Sequence, residues 1–232
     1  MSFYLWLNVI ILAFPLIFSF ERRWINFYKK LKPLLASLVI VGIFFIAWDI
    51  FATSRGHWSF NPSYVNNIKL LGLPLEEILF FVTVPYSCLF VYESVLHFLG
   101  DKKLFSPRKW LFTIAGILFM FCAFVFYINE YTFLAIFSVG VSVLFVSLVN
   151  AELFSSRAYW IYTILTLLLF LIFNYILTSF PVVQYSYTAI SGLRVTTIPI
   201  EDFLFNFSML TNYLTIYLWA SKKLKIDGAR SI

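Results

Sequence analysis

The sequence predicts an all-α membrane protein of seven transmembrane helices, built as a parallel internal repeat of three helices on either side of a linker helix (3+1+3). Three observations carry that expectation. The 232 residues are 62% hydrophobic and 12% charged, with a mean hydropathy of +0.89, and soluble domains carry about twice that share of charge. Seven apolar segments approach the roughly 20 residues that a helix needs to cross a bilayer. The chain also matches itself, without gaps, at an offset of 125 from about residue 44 to 83.

The expected spans are 3–20, 34–52, 75–98, 110–127, 131–149, 159–178 and 200–220. No basic stretch precedes the first, so it reads as a retained helix and not a cleaved signal. The third and seventh open with carboxylates, and the third contains Pro85. Fourteen of the 17 Lys and Arg fall on one side, in the 21–33 and 99–109 loops, at Arg157 and in the tail; Arg55, Lys69 and Arg194 fall on the other. Basic residues concentrate on the cytoplasmic side, which predicts an external N-terminus and a cytoplasmic C-terminus.

The offset divides the chain into a first repeat over 1–105, a linker helix over 106–128 and a second repeat over 129–232. It lays Asp49 on Asn174, Lys69 on Arg194, and Pro74-Leu75-Glu76-Glu77 on Pro199-Ile200-Glu201-Asp202. An even number of spans separates the paired helices, so both repeats point the same way, about an axis along the membrane normal. Both acid pairs then lie at one depth on opposite sides of that axis, in position to line a cavity between the repeats.

Several function classes are excluded. The net charge of +6 comes from Lys and Arg flanking apolar runs, so there is no patch for nucleic acid. Cys88 and Cys122 lie within apolar stretches, which gives neither a disulfide framework nor a Cys-rich metal site. The eight glycines form no nucleotide cradle. No metal or cofactor is expected.

Glu76, Glu77, Glu201 and Asp202 are the candidate catalytic groups. A first-turn acid is favoured by the helix dipole by about 0.3–1 kcal/mol, and that alone accounts for a single one. Two adjacent acids, repeated in both halves and followed by Phe, exceed it, because an ionisable group within a span costs about 2.5–3.5 kcal/mol. Successive helical residues point about 100° apart, so one acid of each pair faces the axis and the other faces the loop or a supporting partner. Four carboxyls beside one apolar cavity cannot all ionise, which leaves at least one as a Brønsted acid.

Asp49 and Asn174 are polar groups deep in their helices, each a structural hydrogen-bonding residue or part of the site. Trp58, Phe60, Tyr185 and Tyr187 precede the acid pairs, as an interfacial belt or as a cap presenting ring faces to a cation. Glu93 and His97, spaced i, i+4, read as a helix-surface pair. Asn206, Ser208 and Asn212 are expected to hydrogen-bond between helices. A protonated carboxyl in a Phe-rich, water-poor cavity suits protonation of an alkene. The carbocation would need exclusion of water, ring faces or a carboxylate to stabilise it, and a base to end it. An isoprenoid drawn from the bilayer fits that chemistry.

The stretch Gly56-x-Trp58-x-Phe60-Asn61-Pro62, then Leu73-Pro74-Leu75-Glu76-Glu77-Ile78-Leu79-Phe80-Phe81 and Tyr92-Glu93, resembles the small integral-membrane lycopene cyclases, a family that occurs as two short subunits or as one fused chain. Ile198-Pro199-Ile200-Glu201-Asp202-Phe203-Leu204-Phe205 is similar to the counterpart in the other half, where Val183-Gln184-Tyr185-Ser186-Tyr187 replaces the Trp-x-Phe-Asn-Pro element. The resemblance implies a lycopene β-cyclase in carotenoid biosynthesis, converting lycopene through γ-carotene to β-carotene without redox change. Its implied partners are lycopene, other apolar carotenoids and the lipid of a bacterial cytoplasmic membrane. Asp49, Trp58, Phe60, Asn61, Phe80, Asn174 and Phe205 would contact substrate. The alternative is a proton-coupled transporter, since SWEET-type carriers share the 3+1+3 layout.

Overall fold

A computed structural model of the chain describes residues 1–21 and 25–225. Arg22, Arg23 and Arg230, part of the charge asymmetry, lie outside the described residues. Among those described, seven helices are α1 (Phe3–Phe18), α2 (Leu31–Ser54), α3 (Leu75–Leu99), α4 (Lys109–Ala123), α5 (Glu130–Asn150), α6 (Arg157–Ser179) and α7 (Ile200–Lys223). Short strands β1 (Trp58–Phe60), β2 (Lys69–Leu70) and β3 (Leu73–Pro74) connect α2 to α3. Strands β4 (Val183–Tyr185), β5 (Arg194–Val195) and β6 (Ile198–Pro199) connect α6 to α7.

Five helices are long and apolar enough to cross a membrane: α2 to α6, three of them with short 3-10 extensions. The chain is therefore a multi-pass membrane protein. The other two expected spans fall short for different reasons. Helix α1 has 16 residues, about 24 Å at 1.5 Å per residue, against about 30 Å of hydrocarbon. Helix α7 has 24 residues but carries Asn206, Ser208, Thr211, Asn212 and Thr215, and it packs against α2, α3, α5 and α6. A helix enclosed by others needs no apolar perimeter. Asn212 donates to Ser142 Oγ (3.0 Å) and Ser138 to Ser208 Oγ (3.0 Å), the interhelical bonds the sequence leads one to expect.

Two prolines inside helices have their freed carbonyls recaptured by a neighbour. Pro85 offers no N–H to Phe81 four residues earlier, and Tyr213 Oη donates to that carbonyl at 2.9 Å. Pro15 does the same to Ile11, whose oxygen accepts from Ser87 Oγ at 2.9 Å. In an apolar medium such carbonyls need a donor from a neighbouring helix. These two bonds also fix α3 against α7 and α1.

The loops repeat one another. Strands β4, β5 and β6 sit 125 residues after β1, β2 and β3, and β1 pairs antiparallel with β4, with Trp58 opposite Tyr185, Ser59 opposite Gln184 and Phe60 opposite Val183. The ribbon is bracketed by Asn61 N–H to Val182 O (3.0 Å) and Ser186 N–H to His57 O (2.9 Å). It is thus symmetric about the Ser59–Gln184 pair. The β2–β3 hairpin turns on Leu71 and Gly72, at φ 54° and 88°, the doubly left-handed turn that matches strand twist.

Candidate functional site

Hairpins β2–β3 and β5–β6 deliver the two acid pairs. Pro74 and Pro199 end the hairpins in extended conformation, with φ near −57° and −59°, and serve as N-caps of α3 and α7. The prolines thus stand one position before the helices, and the acids occupy the second and third helical positions. All four carboxylates are buried, but the members of each pair have different jobs.

Glu76 and Glu201 face the loops. Glu76 Oε1 accepts from Ser2 Oγ and from Asn66 N–H (2.7 Å). Glu201 Oε1 accepts from Thr132 Oγ1 (2.5 Å) and from Ser191 N–H (2.7 Å). Asn66 and Ser191 are again 125 apart. Each glutamate therefore ties the helix start to its loop and to α5 or the beginning of α1. Glu77 and Asp202 face inward. Glu77 Oε2 accepts from Tyr4 Oη at 2.7 Å. Asp202 accepts from Tyr131 Oη at 2.7 Å, Tyr185 Oη at 2.6 Å and Asn174 Nδ2 at 2.9 Å.

Glu77 and Asp202 line one cavity of about 680 Å³. Of the residues expected to contact substrate, Asp49, Trp58, Phe60, Phe80, Asn174 and Phe205 line it too. Asp49 is 1% exposed and accepts from Trp58 Nε1 at 2.9 Å. Trp58 and Tyr131 meet edge-on at 4.9 Å, and Tyr131 stacks on Tyr185 at 6.1 Å. The result is an aromatic roof over the three cavity carboxylates. Burial, then the Asp202 charge, holds the Tyr185 hydroxyl well above the ordinary phenol range, so it stays a donor at neutral and mildly alkaline pH. Ring faces beside a carboxylate suit a transient cation.

Of the four candidate acids, Glu76 and Glu201 do not reach the cavity, because the helical turn that aims Glu77 and Asp202 inward aims their neighbours at the loops, the split within each pair that a 100° spacing predicts. Three expectations about the cavity and its surroundings are corrected. Asn61 lies away from the cavity: its side chain accepts from Ser63 N–H at 3.0 Å, closing a turn. Tyr187 is 86% exposed and caps nothing. Glu93 does not pair with His97; it is buried, ion-paired to Lys30, and accepts from Tyr217 Oη at 2.6 Å.

Tyr4 and Tyr131 are the residues that sequence reasoning missed. They sit 127 apart, not 125, so they fall outside the gapless match. Their backbones carry the signal, however: Tyr4 N–H bonds Tyr64 O and Tyr131 N–H bonds Ala189 O. Allowing a two-residue shift before the second helix of each half would have aligned them.

A sequence profile described as lycopene cyclase matches residues 1–95 and 129–220. A bifunctional lycopene cyclase/phytoene synthase from Neurospora crassa is 33% identical over 70 residues, covering 28% of this chain and 12% of that protein. The chain therefore corresponds to a small part of that relative. No solved structure matches the chain.

Proposed function

The chain belongs to the lycopene cyclase family, and from that membership we propose that it is a lycopene β-cyclase in which Glu77 and Asp202 carry the proton transfers. Carotenoid cyclisation is the family's activity, and the ring type and residue roles are our reading. The observation that carries it is that Glu77 and Asp202, from corresponding helix starts, share one apolar cavity under an aromatic roof.

The two acids differ in support. Three donors converge on Asp202, one on Glu77. Hydrogen bonds to a carboxylate favour its ionised form, so Asp202 is the anion and Glu77 the acid. Glu77 protonates C2 of the terminal double bond, which leaves a cation at C1. The C5–C6 double bond attacks, forming the C1–C6 bond and moving the charge to C5. Asp202 then removes the C6 proton and gives the β-ring; loss from C4 would give an ε-ring. Donor and acceptor end exchanged, and solvent restores them between turnovers. Asp49 and the faces of Trp58, Tyr131 and Tyr185 stabilise the cation.

We also read the chain as two parallel repeats spanning seven times with the N-terminus outside. The matched loops, the ribbon symmetric about Ser59–Gln184, and a profile match that omits residues 96–128 around α4 all support it. The transporter layout gains little from the cavity, more than half of whose lining residues are Leu, Ile, Val or Phe. The test is expression in lycopene-accumulating cells with pigment analysis. Bicyclic β-carotene is expected; unchanged lycopene in cells that hold the protein in their membranes would overturn the proposal.

A further inference from the structure

The cavity does not stop at the carboxylates. Its wall follows α3 from Glu77 through Phe81, Val84, Cys88, Val91 and Val95 to Phe98 and Leu99. That is about 30 Å at 1.5 Å per residue, the thickness of the hydrocarbon core. Helices α1 and α6 flank it, both packed on α3. Ile10, Phe14, Leu165 and Leu169 line it and are also exposed on the apolar perimeter, so the groove opens sideways toward lipid. Among the described residues its carboxylates are Asp49, Glu77 and Asp202, all at one end.

The equivalent seam in the other half is closed. There α2 packs on α7, Ser37 Oγ donates to Tyr213 O at 2.6 Å, and Tyr213 fills the space beside Gly42, where an added Cβ would meet its hydroxyl at 3.2 Å. The position 125 before Tyr213 is Cys88, and the position before Asn212 is Ser87. Both line the groove. Small side chains where the other half carries large ones leave one groove in place of two.

We propose that this groove holds the unreacted arm of the polyene, so that one end is cyclised per binding event and a monocyclic carotenoid leaves and re-enters reversed before the second ring forms. This rests on the carotenoid reading above. A conjugated polyene is a rod, so an end at Glu77 puts the other end near Leu99, where no carboxylate among the described residues lines the wall. The sideways opening gives the rod a path out to lipid and back.

The test uses the full chain in vesicles. Cys88→Tyr, which copies the plug at Tyr213 about 16 Å along α3 from Glu77, is expected to slow lycopene turnover at least tenfold, with Cys122→Tyr, on α4 outside the groove, within twofold of the parent. Lycopene turnover by folded Cys88→Tyr equal to the parent's would overturn the proposal. A second measurement needs no variant: labelled lycopene is converted in the presence of excess unlabelled monocyclic product. Label diluted into the free monocyclic pool before it reaches the bicyclic product is expected. Label passing undiluted to the bicyclic product would overturn it. A parent chain that forms no ring at all from lycopene would instead refute the proposed function.

Discussion

Tyr185→Phe isolates one of the three donors on Asp202 without changing volume or burial. Tyr185 Oη lies 2.6 Å from Asp202 Oδ2, and that oxygen keeps Asn174 Nδ2 at 2.9 Å while Tyr131 holds Oδ1 at 2.7 Å. The substitution thus removes one bond of three and orphans no oxygen. A hydrogen bond to a charged group contributes about 1.5–3 kcal/mol, and about 1.4 kcal/mol is tenfold in rate. If the anion is needed as cation stabiliser and base, the cyclisation rate should fall about 10- to 150-fold. The assay is initial-rate pigment analysis in vesicles at matched protein content, with thermal melting to show that the fold is kept. Tyr131→Phe should cost a similar factor, and the double variant should depart from additivity because both act on one carboxylate. A Tyr185→Phe rate within twofold of the parent would remove the Asp202 anion from the mechanism.

Glu77→Gln and Asp202→Asn should each lower cyclisation by at least about 100-fold in the same assay, whereas Glu76→Gln and Glu201→Gln, which keep an acceptor for the loop N–H, should lose about tenfold or less. Breaking the part-buried Lys30–Glu93 pair by Lys30→Met should cost up to about 3 kcal/mol and lower the melting temperature in detergent; Lys30→Met with Glu93→Met should recover much of it. Gly140→Ala would put a Cβ 2.7 Å from Gly116 O and 2.9 Å from Met120 N. It should cost about 1–3 kcal/mol by prising α4 from α5, seen as faster thermal inactivation with turnover at low temperature unchanged, because α4 does not line the cavity.

Much of the fold was legible because membrane burial leaves a coarse mark. Expected and observed helix ends differ by three residues or fewer at most ends, and the acids open α3 and α7 as expected. What hydropathy could not do was separate lipid from protein as the apolar surroundings. Helix α7 carries polar side chains because its neighbours enclose it, yet by its apolar residues it reads in the sequence as one more span. The site was legible in part for a similar reason. A rare carboxylate among apolar residues stands out, but tyrosines among 50 aromatic residues do not, so Tyr4 and Tyr131 were invisible until their hydroxyls were found on Glu77 and Asp202.

The sequence by itself determined that the chain is helical and membrane-embedded, that it matches itself at an offset of 125, and that two adjacent acid pairs open corresponding apolar helices. Those properties reside in composition and spacing, and chain order alone records them. Which acid of each pair meets the cavity, which tyrosines support it, and why one seam is a groove while its counterpart is shut were decided only by the tertiary structure. They depend on the rotation of each helix about its axis and on distant side chains such as Tyr213 filling or vacating the same space, and a one-dimensional pattern carries neither.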